Sequence, residues 1–334
     1  MKRRVFLIAM SAAGCLLSAG CTPTPQQTSD AGGPPAPVGS GGGAPAKKFV
    51  IGMSQCNLGE PWRVQMNKDI EAAAKAHPDE IQMVFKDAQN KSETQQAQVR
   101  EFVQQGVDLI IISPRESRPL TKPVEEAMDA KIPVIVLDRS VETENYTCFI
   151  GADNQRIGRE AGKYAAKLLN GKGNVVELKG LQTSKPGLDR HNGFLEGIKD
   201  TQIKVVFDPD CQWLEGKARD EMASALARFP GDGDIDLVYG HNDPSAHGAY
   251  MAARQEGKGR EKKIRFVGID ALPHEGVKYV KDGLFAATFQ YPTGGAEAID
   301  TALKVLKGEK VEKNVVLGTK IFTPENVEKG GEAL

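Results

Sequence analysis

Residues 109–139, LIIISPRESRPLTKPVEEAMDAKIPVIVLDR, decide the fold. Leu109 to Ile112 is a continuous apolar run, Thr121 to Ala130 follows a helical pattern, and Val134 to Leu137 is a second apolar run. Unbroken Val, Ile and Leu runs, rather than alternating ones, are expected where both faces of a sheet are covered. The same rhythm continues on either side. Upstream lie strands at Phe49 to Met53 and Gln82 to Phe85, with helices at Trp62 to Ala76 and Lys91 to Gln105. Downstream lie strands at Val175 to Leu178, Val205 to Phe207, Leu237 to Tyr239, Arg265 to Ile269 and Ala286 to Phe289. Helices such as Leu214 to Arg228 and Ser245 to Glu256 fall between them. Two successive sets of such units predict an α/β protein of two doubly wound, Rossmann-like lobes.

The start of the chain has another character. Lys2, Arg3 and Arg4 precede an apolar run from Val5 to Leu17, and Ser18, Ala19 and Gly20 lead into Cys21. That order is a secretory signal, too short to span a bilayer comfortably. Its end resembles a bacterial lipobox, with Leu17 four residues before Cys21 where the usual aliphatic position is three before. Residues 1–21 are thus expected to be a signal ending in lipidation at Cys21; the alternative is plain cleavage and release. Residues 22–47 are dominated by Thr, Pro, Gln, Ser, Ala and Gly, a composition that cannot offset chain entropy and predicts a flexible tether.

The remainder, about 290 residues, suffices for one large or two medium lobes. With 43 Lys and Arg against 44 Asp and Glu, no bulk charge attracts nucleic acid. Cys56, Cys148 and Cys211 allow at most one internal disulfide besides Cys21, so the fold cannot depend on a disulfide framework.

In doubly wound sheets, ligands bind beyond the carboxyl ends of the strands. Those ends carry Asn57, Glu60, Trp62 and Arg63 after the first strand, Asp138 and Arg139 after Val134 to Leu137, and Arg190 on the helix after Val175 to Leu178. Trp213, Asn242, Asp270 and Gln290 close the later strands. Singly, each has a plainer explanation: Asp138 or Asp270 as a cap or turn former, Asn242 as a helix start, the tryptophans as core. Together they put planar polar groups and both tryptophans of the chain on one edge. Sugar hydroxyls need such directed donors and acceptors, and the C–H faces of a sugar ring pack on aromatic rings. Asp138→Ala and Trp213→Ala are accordingly expected to weaken binding, and to change unliganded stability by no more than about 1 kcal/mol.

Val136 to Arg139, Ile150 to Asn154, Asp189 to Phe194, His241 to Asp243 and Val267 to Asp270, in this order and spacing, resemble the periplasmic sugar-binding proteins of ABC importers. The likeness covers the chain from Phe49 onward and includes ribose-, galactose- and galactofuranose-binding members. It implies the type I periplasmic binding protein fold with a three-segment hinge: residues 48–152 and 291–318 as the N-terminal lobe, 153–290 and 319–334 as the C-terminal lobe. It also implies a monosaccharide as ligand, pentose or hexose and possibly a furanose. Asp138, Arg139, Arg190, Asn242, Asp270 and Gln290 would then hold its hydroxyls, and Trp213 would stack on it. The loop from Ser54 to Arg63 is most similar to the galactofuranose-binding branch, with Trp62 and Arg63 contacting ligand. An ABC permease would be the partner, the site the periplasm, membrane contact a lipid anchor, and the protein a monomer without cofactor or metal.

Other chemistries find little footing. His241 and His247 lack metal-ligand spacing, and the alternating Asp232, Asp234 and Asp236 lack the Gly and Glu of a calcium loop. No Gly-x-Ser-x-Gly elbow and no Gly-x-Gly-x-x-Gly fingerprint occurs. A sugar-sensing carrier for a chemoreceptor remains as an alternative. So does a secreted sugar-active enzyme with Asp138 and Asp270 flanking a glycosidic bond. A repressor of the same two-lobe fold would need a DNA-binding headpiece where this chain has its signal and tether.

Overall fold

The computed structural model describes residues 47–334. Cys21 and the expected signal lie outside the described residues, as does nearly all of the tether. The strands form two sheets. The first contains β1 (Phe49–Gln55), β2 (Ile81–Asp87), β3 (Leu109–Ser113), β4 (Val134–Leu137) and β5 (Cys148–Ala152), joined by β11 (Asn314–Leu317) from late in the chain. Its order is β11-β5-β4-β3-β1-β2, parallel throughout. The second contains β6 (Lys172–Leu178), β7 (Gln202–Phe207), β8 (Leu237–Gly240), β9 (Arg265–Asp270), β10 (Ala287–Gln290), β12 (Lys320–Phe322) and β13 (Glu332–Ala333). Its order is β13-β12-β10-β9-β8-β6-β7, parallel except at the β10-β12-β13 edge.

Helices cover both faces of each sheet, and strand alternation shows why. In β3, Leu109 and Ile111 face one layer with Trp62, Met66 and Ile70 of α1 (Pro61–Lys75). Ile110 and Ile112 face the other, with Val99 and Phe102 of α2 (Ser92–Gln105) and Leu120 and Val124 of α3 (Ser117–Asp129). In the second sheet, Val175 and Tyr239 pack with Ile157 of α4 (Asn154–Leu168) and Phe194 of α5 (Lys185–Ile198). Val176 and Val238 pack with Met222 of α6 (Glu215–Arg228) and Ala249 of α7 (Asp243–Gln255). The two-residue side-chain period of a strand thus feeds two apolar layers at once. Two further helices, α8 (Gly276–Lys281) and α9 (Gly295–Leu306), flank β10, and α9 packs against α1 of the first sheet.

The chain passes between sheets after β5, after β10 and after β11. The apolar runs do not single out β5, whose run is broken by Gly151, nor β11, β12 and β13, which are four residues or fewer. Among the described residues, Cys56, Cys148 and Cys211 are buried free thiols and form no disulfide.

Candidate functional site

In both sheets the second strand in sequence lies on one side of the first and the third on the other, which opens a crevice at the strand ends. The crevices of the two sheets face each other across one small, narrow cavity. Of the predicted residues, Glu60, Trp62, Arg63, Asp138, Arg139, Arg190, Trp213, Asn242 and Asp270 line it. Two do not. Asn57 is buried in the loop, where its amide donates to Glu60 at 2.8 Å. Gln290 lines a separate groove between α1 and the β9–α8 loop, because the end of β10 turns its side chain off the cavity. Pro186 and Tyr291 line the cavity without having been predicted; Tyr291 stands one residue past Gln290 and is buried.

From the first sheet, Asp138 is held at the end of β4 with φ of 70°. Its Oδ2 accepts from Arg63 Nη2 at 2.9 Å and from Ser113 Oγ at 3.1 Å, and its Oδ1 from the Tyr291 hydroxyl at 2.9 Å. Burial alone would push this carboxyl up, but Arg63 and Arg139 beside it and the Tyr291 hydrogen bond outweigh that and hold it below its usual range. Glu60 lies 3.4 Å from Arg63 Nε. Arg139 donates to the Arg115 carbonyl at 3.0 Å, which aims the guanidinium along the cavity wall. Trp62 does double duty: its indole N–H donates to the Tyr291 carbonyl at 2.7 Å and pins the second crossing.

From the second sheet, Arg190 Nε donates to Asn154 Oδ1 at 2.8 Å and its Nη1 to the His241 carbonyl. The guanidinium lies 4.5 Å from the Tyr291 ring and 5.2 Å from that of Trp213. Trp213 lies flat against Gly180, where any Cβ would collide with its ring. Its φ is 69°, and its indole N–H is buried with no partner. Asn242 caps α7 through Ser245 N at 3.0 Å and donates to the Trp213 carbonyl at 3.0 Å, so the helix-start explanation and a place on the cavity hold together. Asp270, at φ 130°, reaches the cavity above a second buried carboxyl, Asp243, which accepts from Ala271 N at 2.7 Å and Thr288 Oγ1 at 2.6 Å. Burial, then the charge of Asp243, pushes the carboxyl of Asp270 well above its usual range; burial likewise raises that of Asp243. Three cavity residues, Asp138, Trp213 and Asp270, thus carry left-handed backbone, a strain that concentrates at binding sites.

Beneath Arg190, Glu177 bridges His191 Nδ1 at 2.9 Å and His241 Nε2 at 2.8 Å. Burial works against the Glu177 charge, but the two histidine hydrogen bonds keep it ionised below the usual range. Among the described residues, no cluster of histidine, cysteine and carboxylate groups has the geometry to hold a metal.

Two covered crevices, closed over a cavity of opposed acids and arginines with aromatic walls, define a two-lobed solute-binding protein. The chain belongs to the periplasmic binding protein domain family, which matches residues 51–310. It is 32% identical to the ribose import binding protein of Bacillus subtilis (strain 168), over 83% of this chain and 88% of that one. It is also 32% identical to the galactofuranose-binding protein of Escherichia coli (strain K12), over 85% and 91%. Among solved structures, the fructose binding periplasmic domain of a hybrid two component system superposes with a TM-score of 0.80 at 41% identity, covering 84% of this chain and 93% of that one.

Proposed function

We propose that this protein captures one monosaccharide between its lobes and delivers it to an ABC permease. The single observation that carries this is the cavity itself. Glu60, Asp138 and Asp270 face Arg63, Arg139 and Arg190 in one small closed space, with Trp62 and Trp213 as walls. Acceptor carboxyls and donor guanidiniums face the cavity together, which suits a ligand rich in hydroxyls. A furanose is the preferred form, supported by the galactofuranose-binding relative and the Trp62-Arg63 pair. In this proposal residues 48–152 and 291–318 move as one lobe against 153–290 and 319–334, and the sugar favours the closed state through contacts made to both. Capture is without turnover, by a monomer held in the periplasm through a lipid on Cys21.

A thermal-shift panel of D-ribose, D-galactose, D-fructose and L-arabinose, followed by calorimetry, tests this, since a ligand of the folded state alone raises its stability. At least one sugar should shift the transition and be recovered unchanged. Release of a new reducing end from a glycoside would favour the enzyme alternative instead. The fructose-binding sensor relative favours one second role, reporting the sugar to a signalling partner with the same cleft.

A further inference from the structure

The hinge phenol of Tyr291 belongs to neither sheet, yet it touches the working groups of both. Its hydroxyl is 2.9 Å from Asp138 Oδ1 and 3.2 Å from Asn154 Nδ2. Proton directions in this chain are forced. Arg190 has only donors, so at 2.8 Å its Nε must donate to Asn154 Oδ1, which turns the Asn154 amide nitrogen toward the phenol. The phenol oxygen therefore accepts from Asn154, and its own proton goes to Asp138, which is ionised beside Arg63. The far end is fixed as well, because Arg190 also donates to the His241 carbonyl and lies over the Tyr291 ring at 4.5 Å.

Acceptor counting gives the consequence for ligand. Asp138 Oδ2 already takes two donors, from Arg63 and Ser113, and Oδ1 takes one from Tyr291. With two lone pairs per oxygen, one acceptor site remains for a ligand hydroxyl, and the phenol decides where it points. Asn154 opens α4 directly after the first crossing, and Tyr291 stands at the second.

We infer that Tyr291 is a positioning residue of the cleft, setting Asp138 of one lobe and Arg190 of the other against each other through Asn154. This rests on the sugar-cleft proposal for its ligand, though the relay itself exists without one. Tyr291→Phe keeps the ring and removes the relay. With the panel sugar that gives the largest thermal shift, its Kd should rise about tenfold, the loss of one hydrogen bond to a charged group. The sharper readout is a double-mutant cycle. Asp138→Asn and Asn154→Ala should be coupled in the parent protein, their joint effect on Kd departing from the product of the single effects by about three- to thirtyfold. In the Y291F background the two effects should simply multiply. The same cycle read by denaturant unfolding without sugar should show coupling that Y291F abolishes, so the relay is tested even if no panel sugar binds. Coupling that survives in Y291F overturns the relay. Coupling in unfolding with an unchanged Kd overturns the positioning role. A panel in which nothing binds, with the unfolding cycle as expected, overturns the sugar reading and leaves the relay standing.

Discussion

Asp138 shows how tightly a single side chain is committed here. Its carboxylate and Arg63 are both buried and 2.9 Å apart, so its removal strips a buried guanidinium of its principal partner. The sequence-based expectation that Asp138→Ala leaves unliganded stability almost unchanged does not fit this geometry. We expect a loss toward the lower end of about 3–5 kcal/mol, because Glu60 still faces Arg63, together with a ten- to over hundredfold loss of sugar affinity, about 1.5–3 kcal/mol. Urea unfolding and calorimetry on the same variant check both. Asp243 makes a prediction of opposite character. Its folded carboxyl holds a proton that the unfolded chain releases, so its contribution to stability is lost as pH rises from its ordinary value of 3.8 to about 8. The stability of the parent relative to Asp243→Asn should therefore fall across that interval. A pH-independent difference would show that Asp243 is ionised in the fold.

The pairing of α4 and α5 is what puts Arg190 at the cavity. Gly158 and Gly162 of α4 meet Gly193 and Gly197 of α5 so closely that a Cβ on Gly158 would strike the Arg190 carbonyl, and one on Gly193 the Gln155 carbonyl. Backbone contact of this kind sets the depth of Arg190 and of Asn154 together. Gly158→Ala must push the helices apart, at a cost of about 1–3 kcal/mol in unfolding free energy. It should also weaken sugar binding, although residue 158 never touches the cavity. Equal affinity in this variant would show that Arg190 tolerates the shift.

At the scale of the whole molecule, the lobes are joined at the hinge, at the cavity and at one remote point. There Glu116, from the loop before α3, accepts from Thr183 Oγ1 at 2.8 Å, and Ser117 N donates to the Thr183 carbonyl at 3.3 Å. Thr183 lies in the loop before α5, so in the proposed hinge motion this contact belongs to the closed form. Thr183→Val should speed sugar dissociation several-fold without changing the order in which sugars are preferred, since no cavity group is altered; stopped-flow release measures it. Scattering should likewise show the parent protein becoming more compact with saturating sugar, and an unchanged profile would argue for a rigid pocket.

The sequence by itself determined the α/β class, the two lobes and nine of the cavity residues. Buried parallel strands need unbroken apolar runs, and a doubly wound sheet exposes only its strand ends to ligand. Leu109 to Ile112 followed by Val134 to Leu137, with Asp138 and Arg139 just beyond, carries both messages. The tertiary structure alone decided that Gln290 turns away while Tyr291 turns in, because neighbours on a strand alternate sides and the register at the end of β10 is set by β9 and β12. It also decided that Asn57 serves Glu60 and that Asp243 lies under Asp270. These are contacts between residues far apart in the chain or on opposite sides of one loop, and no local pattern of apolar and polar residues encodes them.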